Sequence, residues 1–436
     1  MNILEAADVS AFNYRGSRYR DIINEVELKK ACIEYLNIHS IEFVKEELIN
    51  SGTITGIAKY MILEKKVSIN DFNTIIFQNL TYNCSNIFLD KITTDITDEN
   101  IENCFEAIIN IVNKDVVTVE QFKLMNKHGF NLLDCVPTRE SNKLLFPVLE
   151  YSSEEINLMC IVQYEFKGTR KFKVCSICIN RISKDITFYI NGSVGSFVLS
   201  NYKKENVTSS KSFFSVLKTF ISSFLRVNFV SRDAKYQLER EKMFLFCKQL
   251  NQGMIKDYIE ELDKVIRSTI NGQITRTIGS IRKINSSVKL DKKSKEDLYN
   301  KIFDAYLGQY VTNGYNEIDL KQKALEKKMH CYPTNISFTG QELSKGKAKA
   351  RKKEIPLVFE KVFYSLNTDI ETAKRLEEVT MAWFDAPFFP KRKETDVSQT
   401  TITISKQYFL IVMKNGVYKN KGMTELVEKT IREVLN

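Results

Sequence analysis

The sequence predicts a multidomain α+β protein, and three observations carry that expectation. Apolar residues recur at helical spacing through the first third, the pattern changes to strict alternation near Leu144, and helical spacing then returns before a closing strand pair and short helix. With 436 residues the chain can build two or three cores. Its 43% apolar and 27% charged residues are the balance of a folded chain rather than a disordered one. We therefore expect an acidic helical domain over residues 1–140, an antiparallel sheet with following helices over 141–272, and a basic α+β region over 273–436 that ends in a β-hairpin and a helix.

The helical block shows a repeated pattern. Residues 57–66 are apolar at helical spacing and run into Val67-Ser68-Ile69-Asn70-Asp71-Phe72; residues 107–116 run likewise into Val117-Thr118-Val119-Glu120-Gln121-Phe122. Each hexapeptide is a capping box, Ser68 with Asp71 and Thr118 with Gln121, with an apolar residue before the cap and Phe after the box. The two helix–turn–helix units resemble a helical-hairpin array or a plain helical bundle, and either architecture suits docking on a protein partner better than catalysis. Ahead of them lies an arm, residues 12–20, in which Arg15, Arg18 and Arg20 alternate with Tyr14 and Tyr19 around Gly16-Ser17. Arginine forks grip phosphate and both residue types stack on bases, which is the chemistry of a nucleic-acid arm.

In the middle block, strands are expected at 144–151, 157–166, 172–181, 185–191 and 196–202. Lys167-Gly168-Thr169-Arg170 and Asn191-Gly192 are turn signals, and such short connections imply an antiparallel meander. Ile186, Phe188 and Ile190 alternate with Thr187, Tyr189 and Asn191, as in a half-buried strand. Helices follow: Phe213, Leu217, Phe220 and Phe224 share one face, and Ile255, Tyr258, Ile259, Leu262 and Ile266 share another. The apolar stretch 213–229 carries Lys218 at its middle and is too polar for a membrane span. The first residues lack a basic then apolar leader, so the expected location is cytoplasmic, in a bacterial or virus-infected cell. Gly (16) and Pro (6) are scarce while Lys, Asn, Ile, Phe and Tyr abound. That is AT-rich coding, and it suggests a low-GC bacterium, its phage or a large DNA virus.

Charge divides the chain. Residues 1–140 carry net −7, residues 141–280 net +8 and residues 281–436 net +9. The basic remainder could follow a phosphate backbone and the acidic third could not. Within it, Arg276, Arg282 and Lys283 fall off the apolar face of Ile274, Ile278 and Ile281. Lys292, Lys293 and Lys295 follow, beside a capping box of Ser294 with Asp297 that should open a helix through Ala305. A loop at 343–354 holds Lys345, Lys347, Lys349, Arg351, Lys352 and Lys353. Lys391, Arg392 and Lys393 stand near Trp383, Phe384, Phe388 and Phe389. Such aromatics stack on bases when exposed and otherwise pack the core, and the balance favours core. At the end, 401–414 and 417–419 flank Asn415-Gly416, a hairpin turn signal, and 424–435 should be helical.

Few catalytic or metal-binding patterns are present. His39, His128 and His330 are the only histidines, none at ligand spacing from another. Nine scattered cysteines read as reduced core thiols; Cys175 and Cys178 form one C-x-x-C, but on a strand that spacing sends them to opposite faces. Residues 340–347 fail as a phosphate loop: the glycines are six apart and Ala348 replaces the magnesium-binding hydroxyl. No metal or cofactor is expected on these grounds. One enzyme reading remains, a Mg²⁺-dependent nuclease in which Glu150 with Glu165 and Lys167, an E-x-K at a strand end, would hold the ion and activate water. A turn-flanking ion pair explains the same residues more simply. The sequence thus points to a DNA- or RNA-binding subunit of a transcription or replication complex, possessing no catalysis of its own and concerned with template or promoter recognition. Its acidic N-terminal helices would meet a protein partner, with a genome-coating role as a further alternative.

Overall fold

The computed structural model describes residues 23–112, 142–192, 194–340, 345–389, 391–414 and 421–436. They form a multidomain α+β protein of two compact units, one within Met1–Val230 and Gly416–Thr424, the other within Ser231–Asn415 and Glu425–Asn436.

The first unit opens with helices α1 (Glu25–Ile38), α2 (Lys45–Asn50), α3 (Ile54–Ala58, continuing as a π-helical turn over Lys59–Glu64) and α4 (Ile69–Tyr82). The expected cap at Ser68 is present: its Oγ accepts from the Asp71 N–H at 3.0 Å, with Val67 and Phe72 buried on either side. The matching box at Thr118–Gln121 and the arm at 12–20 lie outside the described residues. Asn24 caps α1, and its backbone N–H donates to Asn79 Oδ1 while Asn79 Nδ2 donates to Asn24 O, each at 3.0 Å, clamping α1 to α4.

Strand β1 (Asn86–Lys91) follows, inside what the sequence pattern presents as a helical block. After α5 (Asp98–Val112) come β2 (Leu144–Tyr151), β3 (Glu155–Phe166), β4 (Thr169–Asn180) and β5 (Asp185–Ile190), hydrogen-bonded in the order β2-β3-β4-β5-β1, all antiparallel. The meander is as expected. Strand β1 comes from the block expected as a separate helical domain and pairs with β5, so that block and the meander fall in one compact unit. The strand expected over 196–202 shrinks to a two-residue pairing of β6 (Phe197–Val198) with β7 (Asn206–Val207). Helix α6 (Ser210–Phe224) starts at a Ser209/Ser212 capping box.

Both faces of these strands are covered. Val148, Met159, Ile161, Phe172 and Val174 join one core with α1–α4. On the opposite face Phe88 stacks on Phe214 and Phe146 on Phe220, at 4.4 and 4.5 Å between ring centroids. The alternation in β5 therefore separates two buried faces, not core from water: Thr187 and Tyr189 are buried as well. Lys218, which makes the 213–229 stretch too polar to span a membrane, donates to the buried Asp90 carboxylate of β1 at 2.5 Å. No helix among the described residues is long and apolar enough to cross a membrane.

The second unit opens with α7 (Arg232–Ile284), 53 residues and so roughly 80 Å long. Next is α8 (Lys292–Gly314), capped by Asp291, whose Oδ1 accepts from the Ser294 N–H at 2.7 Å. The helix therefore begins ahead of the expected Ser294–Asp297 box and runs beyond Ala305. Then come α9 (Glu317–Glu326), β8 (Cys331–Thr339), β9 (Lys345–Lys349), a 3-10 turn at Leu357–Phe359, α10 (Lys361–Ala373), β10 (Glu378–Phe384), β11 (Val397–Ile404) and β12 (Phe409–Met413); α11 (Lys421–Leu435) is the last element. These strands are ordered β12-β11-β10-β8-β9, also antiparallel. The closing hairpin is β11–β12, turned at 405–408, where the Ser405 N–H donates to Tyr408 O at 3.0 Å. Asn415-Gly416 lies outside the described residues. Period two sets Ile336, Val379, Met381, Trp383 and Ile402 on one face and Asn335, Ser337, Thr380, Thr401 and Thr403 on the other. The apolar face meets helices: Ile336 shares a cavity wall with Phe244 of α7 and Phe363 of α10.

The described cysteines are free thiols, buried except for half-buried Cys178. Cys175 pairs across the sheet with Cys160, and Cys178 with Asn157, so the C-x-x-C does straddle the two faces.

Candidate nucleic-acid interface

The densest group of cations among the described residues is built by β9. Its sequence, Lys-Gly-Lys-Ala-Lys, places Lys345, Lys347 and Lys349 on one face and Gly346 and Ala348 on the other. Glycine is required at 346, since a Cβ there would come within 2.3 Å of the Phe338 ring on the neighbouring strand. Residues 345–354, expected as part of a loop, are thus an edge strand and a pinned turn. Arg351 donates from its backbone N–H and its Nε to Glu360 Oε1, both at 3.0 Å. Gln399 Nε2 donates to Lys353 O at 2.5 Å and Tyr332 Oη to Glu354 O at 2.7 Å. All six cations from Lys345 to Lys353 are exposed. Lys347 meets Glu378 at 3.4 Å and Arg351 meets Glu360. Lys345, Lys349, Lys352 and Lys353 form no ion pair among the described residues.

A second group lies where α7 ends and α8 begins. Arg276, Arg282 and Lys283 are exposed, as are Lys289, Lys292, Lys293 and Lys295. Arg282 Nε donates to Val288 O at 3.0 Å, drawing the connecting segment back along the helix. Arg282 and Lys283 complement the negative end of α7, whereas three lysines in the first turn of α8 add to an already positive helix end. Asp291 offsets them in part. The hydrogen bonds from Ser294, with nearby Lys293, hold its carboxyl below the usual range. Lys289 has no distinguishing mark in the sequence, and only its position in this turn gives it meaning.

The third group dissolves on inspection. Trp383 is fully buried and donates from Nε1 to Thr400 Oγ1 at 2.8 Å, and Phe384 is also in the core. Arg392 is half-buried, its backbone N–H bonded to Phe389 O at 2.8 Å and its guanidinium 3.7 Å from Asp396. Lys391 and Lys393 remain exposed, but no exposed ring is interleaved with them: Phe388 and Phe389 are half-buried. Arg15, Arg18 and Arg20 lie outside the described residues.

The E-x-K residues do not assemble. Glu150 sits opposite Asn157, eight residues along β3 from Glu165, which at strand rise is roughly 26 Å. Lys167 has left the strand. With φ of 52° it forms, together with Gly168 at 72°, the tight turn between β3 and β4, and its ammonium lies 5.5 Å from the Phe166 ring centroid. Among the described residues no group of three or more His, Cys, Asp or Glu side chains could hold a metal ion.

On the acidic side of the chain, a groove of about 430 Å³ runs between α1 and α4. Glu27, Glu34 and Asp71 line it together with Lys30 and Lys421, and Lys30 pairs with Glu27 at 2.6 Å. No protein-family model matches this chain, and no curated protein is significantly similar to it.

Proposed function

We propose that this protein binds nucleic acid, without catalysis of its own, as a subunit of a transcription or replication complex in a bacterial or virus-infected cytoplasm of low-GC coding. The observation that carries this reading is the exposed lysine row of β9 with its pinned Arg351–Lys353 turn. Alternate residues of a strand stand about 6.6 Å apart, far enough for neighbouring lysines to reach separate phosphates of one strand. Lys345, Lys347 and Lys349 can therefore each meet a different phosphate of DNA or RNA. Contacts of this kind position a protein without reading sequence. The cations at the junction of α7 and α8 supply a second electrostatic contact of the same type. The groove between α1 and α4, where Glu34 and Asp71 stand with the Lys30–Glu27 pair and Lys421, would take a protein partner.

The deciding experiment replaces Lys345, Lys347, Lys349, Arg351, Lys352 and Lys353 together by Gln in the full chain. Affinity for a short duplex should drop across all sequences alike, and the slope of log K against log salt should become shallower by about 0.9 for each phosphate no longer neutralised. A second reading rests on the same strand being a sheet edge, where lysines prevent edge-to-edge pairing. That reading predicts unchanged affinity and self-association of the neutralised protein. Unchanged affinity with no self-association removes both.

A further inference from the structure

The second unit encloses a cavity of about 190 Å³ between α7, α8, α10 and the apolar face of its sheet. A cavity of about 150 Å³ is already enough to admit benzene, so a ring with one small substituent can enter. Its floor is apolar, formed by Phe244, Ile255, Phe303, Leu307, Ile336 and Phe363. Two buried polar side chains interrupt that lining. Asn251 is 4% exposed and its Oδ1 has no hydrogen-bond partner. Asp304 is 8% exposed and accepts at Oδ2 from Asn367 Nδ2 at 3.0 Å, its one hydrogen bond among the described residues.

No cation among the described residues answers these acceptors. Lys248, the one lysine on the wall, is held by Glu371 at 2.5 Å. Tyr364, which also lines the cavity, donates its hydroxyl to Val358 O at 2.7 Å. The polar and titratable groups that share the cavity wall with Asp304 are Cys247, Lys248, Asn251 and Gln252 from α7, and Tyr364, Asn367 and Glu371 from α10; none is a free donor of positive charge. A buried carboxylate and an unpartnered amide oxygen on the wall of one largely apolar chamber lack their complement. We propose that this cavity binds a small organic monocation, an amidine or amine carried on an aromatic or branched alkyl body. The charged head lies between Asp304 and Asn251 and the body lies against Phe244, Phe303 and Leu307. This site is independent of the nucleic-acid reading.

Burial and the neighbouring Glu371 raise the Asp304 carboxyl to about 6, despite the opposing bond from Asn367. It is charged at pH 7.5 and largely protonated at pH 5, so cation affinity should fall over that interval. Benzamidine titrated into the full-length protein by calorimetry is the test. Saturable binding at pH 7.5 should weaken by tenfold or more at pH 5 and be lost in Asp304→Asn. Benzyl alcohol, of similar shape and no charge, should bind at least tenfold more weakly. Asn251→Leu, which removes the amide oxygen and fills space, should also abolish binding and serves if Asp304→Asn does not fold. The proposal is overturned if benzamidine shows no saturable binding, if benzyl alcohol binds as well, or if either folded variant retains wild-type affinity.

Discussion

The two sheets differ in the chemistry of their second face. In the first unit both faces are apolar and buried, one under α1–α4 and one under α6, and the strands read as nearly continuous apolar runs. In the second unit one face packs on helices and the other is a ladder of small polar side chains. There Thr380 and Thr401 hydroxyls lie 3.2 Å apart, Asn335 Nδ2 donates to Thr380 Oγ1 at 3.4 Å, and Gln399 Nε2 donates to Thr334 Oγ1 at 3.1 Å. The lysines of β9 continue that polar face to the sheet edge. That polar face is itself buried at Thr334, Asn335, Thr380, Gln399 and Thr401, and only its β9 edge presents exposed cations. On the proposed function, the first unit is chiefly scaffold and helical docking surface, and the exposed cations of the second carry the binding.

The comparison breaks most sharply at Trp383. If it belongs to the apolar face, Trp383→Ala should lower stability by about 3–5 kcal/mol, read by denaturant melting, and leave the salt dependence of nucleic-acid binding unchanged. A stable variant with altered binding would move this ring from core to interface. Ion pairs provide the next contrast. Lys218→Met removes the ammonium that faces the buried Asp90 of the first unit, leaving the Lys91 N–H on its Oδ1 at 2.9 Å, and should cost about 3 kcal/mol, near the low end for breaking a buried pair. Lys347→Met removes an exposed pair with Glu378 and should cost less than about 1 kcal/mol. Equal costs would mean that the β9 lysines are structural.

A third contrast is in pH. Lys173 of β4 is buried, with Nζ donating to Asn191 O and Ser210 Oγ, and burial lowers its ammonium to about 8. Its folded value lies below its unfolded one, so the unfolded chain binds the extra proton. Its contribution to stability is full above the unfolded value near 10.5 and is lost as pH falls through about 8. The stability of wild type relative to Lys173→Met should rise between pH 8 and 10.5 by on the order of 2 kcal/mol. A flat difference would mean that the lysine is solvated.

This asymmetry is half legible in the sequence. Strands β2–β5 are visible because alternation and turn signals agree there, and Lys167-Gly168 fixes the β3–β4 turn outright. Strand β1 is hidden, six residues between two helices whose partner, β5, lies about a hundred residues away. In the second unit β8, β9 and β10 escape the pattern. The lysine run resembles a solvated loop until a neighbouring strand supplies its register, whereas Trp383 and Phe384 are in the core, as the balance of their sequence reading favours. The cationic positions themselves are legible as exposed at Arg276, Arg282, Lys283 and Lys345–Lys353, because Lys and Arg are almost never buried without partners. Asn251 and Asp304 carry no signal, since a polar residue on an amphipathic helix reads as solvent-facing until a second helix closes over it.

The smallest effect tests the residual enzyme reading on the scaffold side of the comparison. Lys167 and Gly168 both have positive φ, the geometry of a type I′ hairpin turn, which glycine and asparagine adopt more readily than lysine. If Lys167 serves only that turn, Lys167→Gly should leave nucleic-acid binding unchanged. It should stabilise the protein by a few tenths to about 1 kcal/mol, as a left-handed site relieved of its Cβ does. Glu165→Ala, on an exposed strand end facing Arg170, should stay within about 0.5 kcal/mol. A catalytic lysine behaves in the opposite way, its loss leaving stability alone and abolishing magnesium-dependent cleavage of DNA or RNA by the purified protein. Cleavage by wild type that disappears in both variants would place chemistry at the β3–β4 turn despite the roughly 26 Å to Glu150. A second carboxylate would then have to be found nearer, and the first unit would cease to be scaffold.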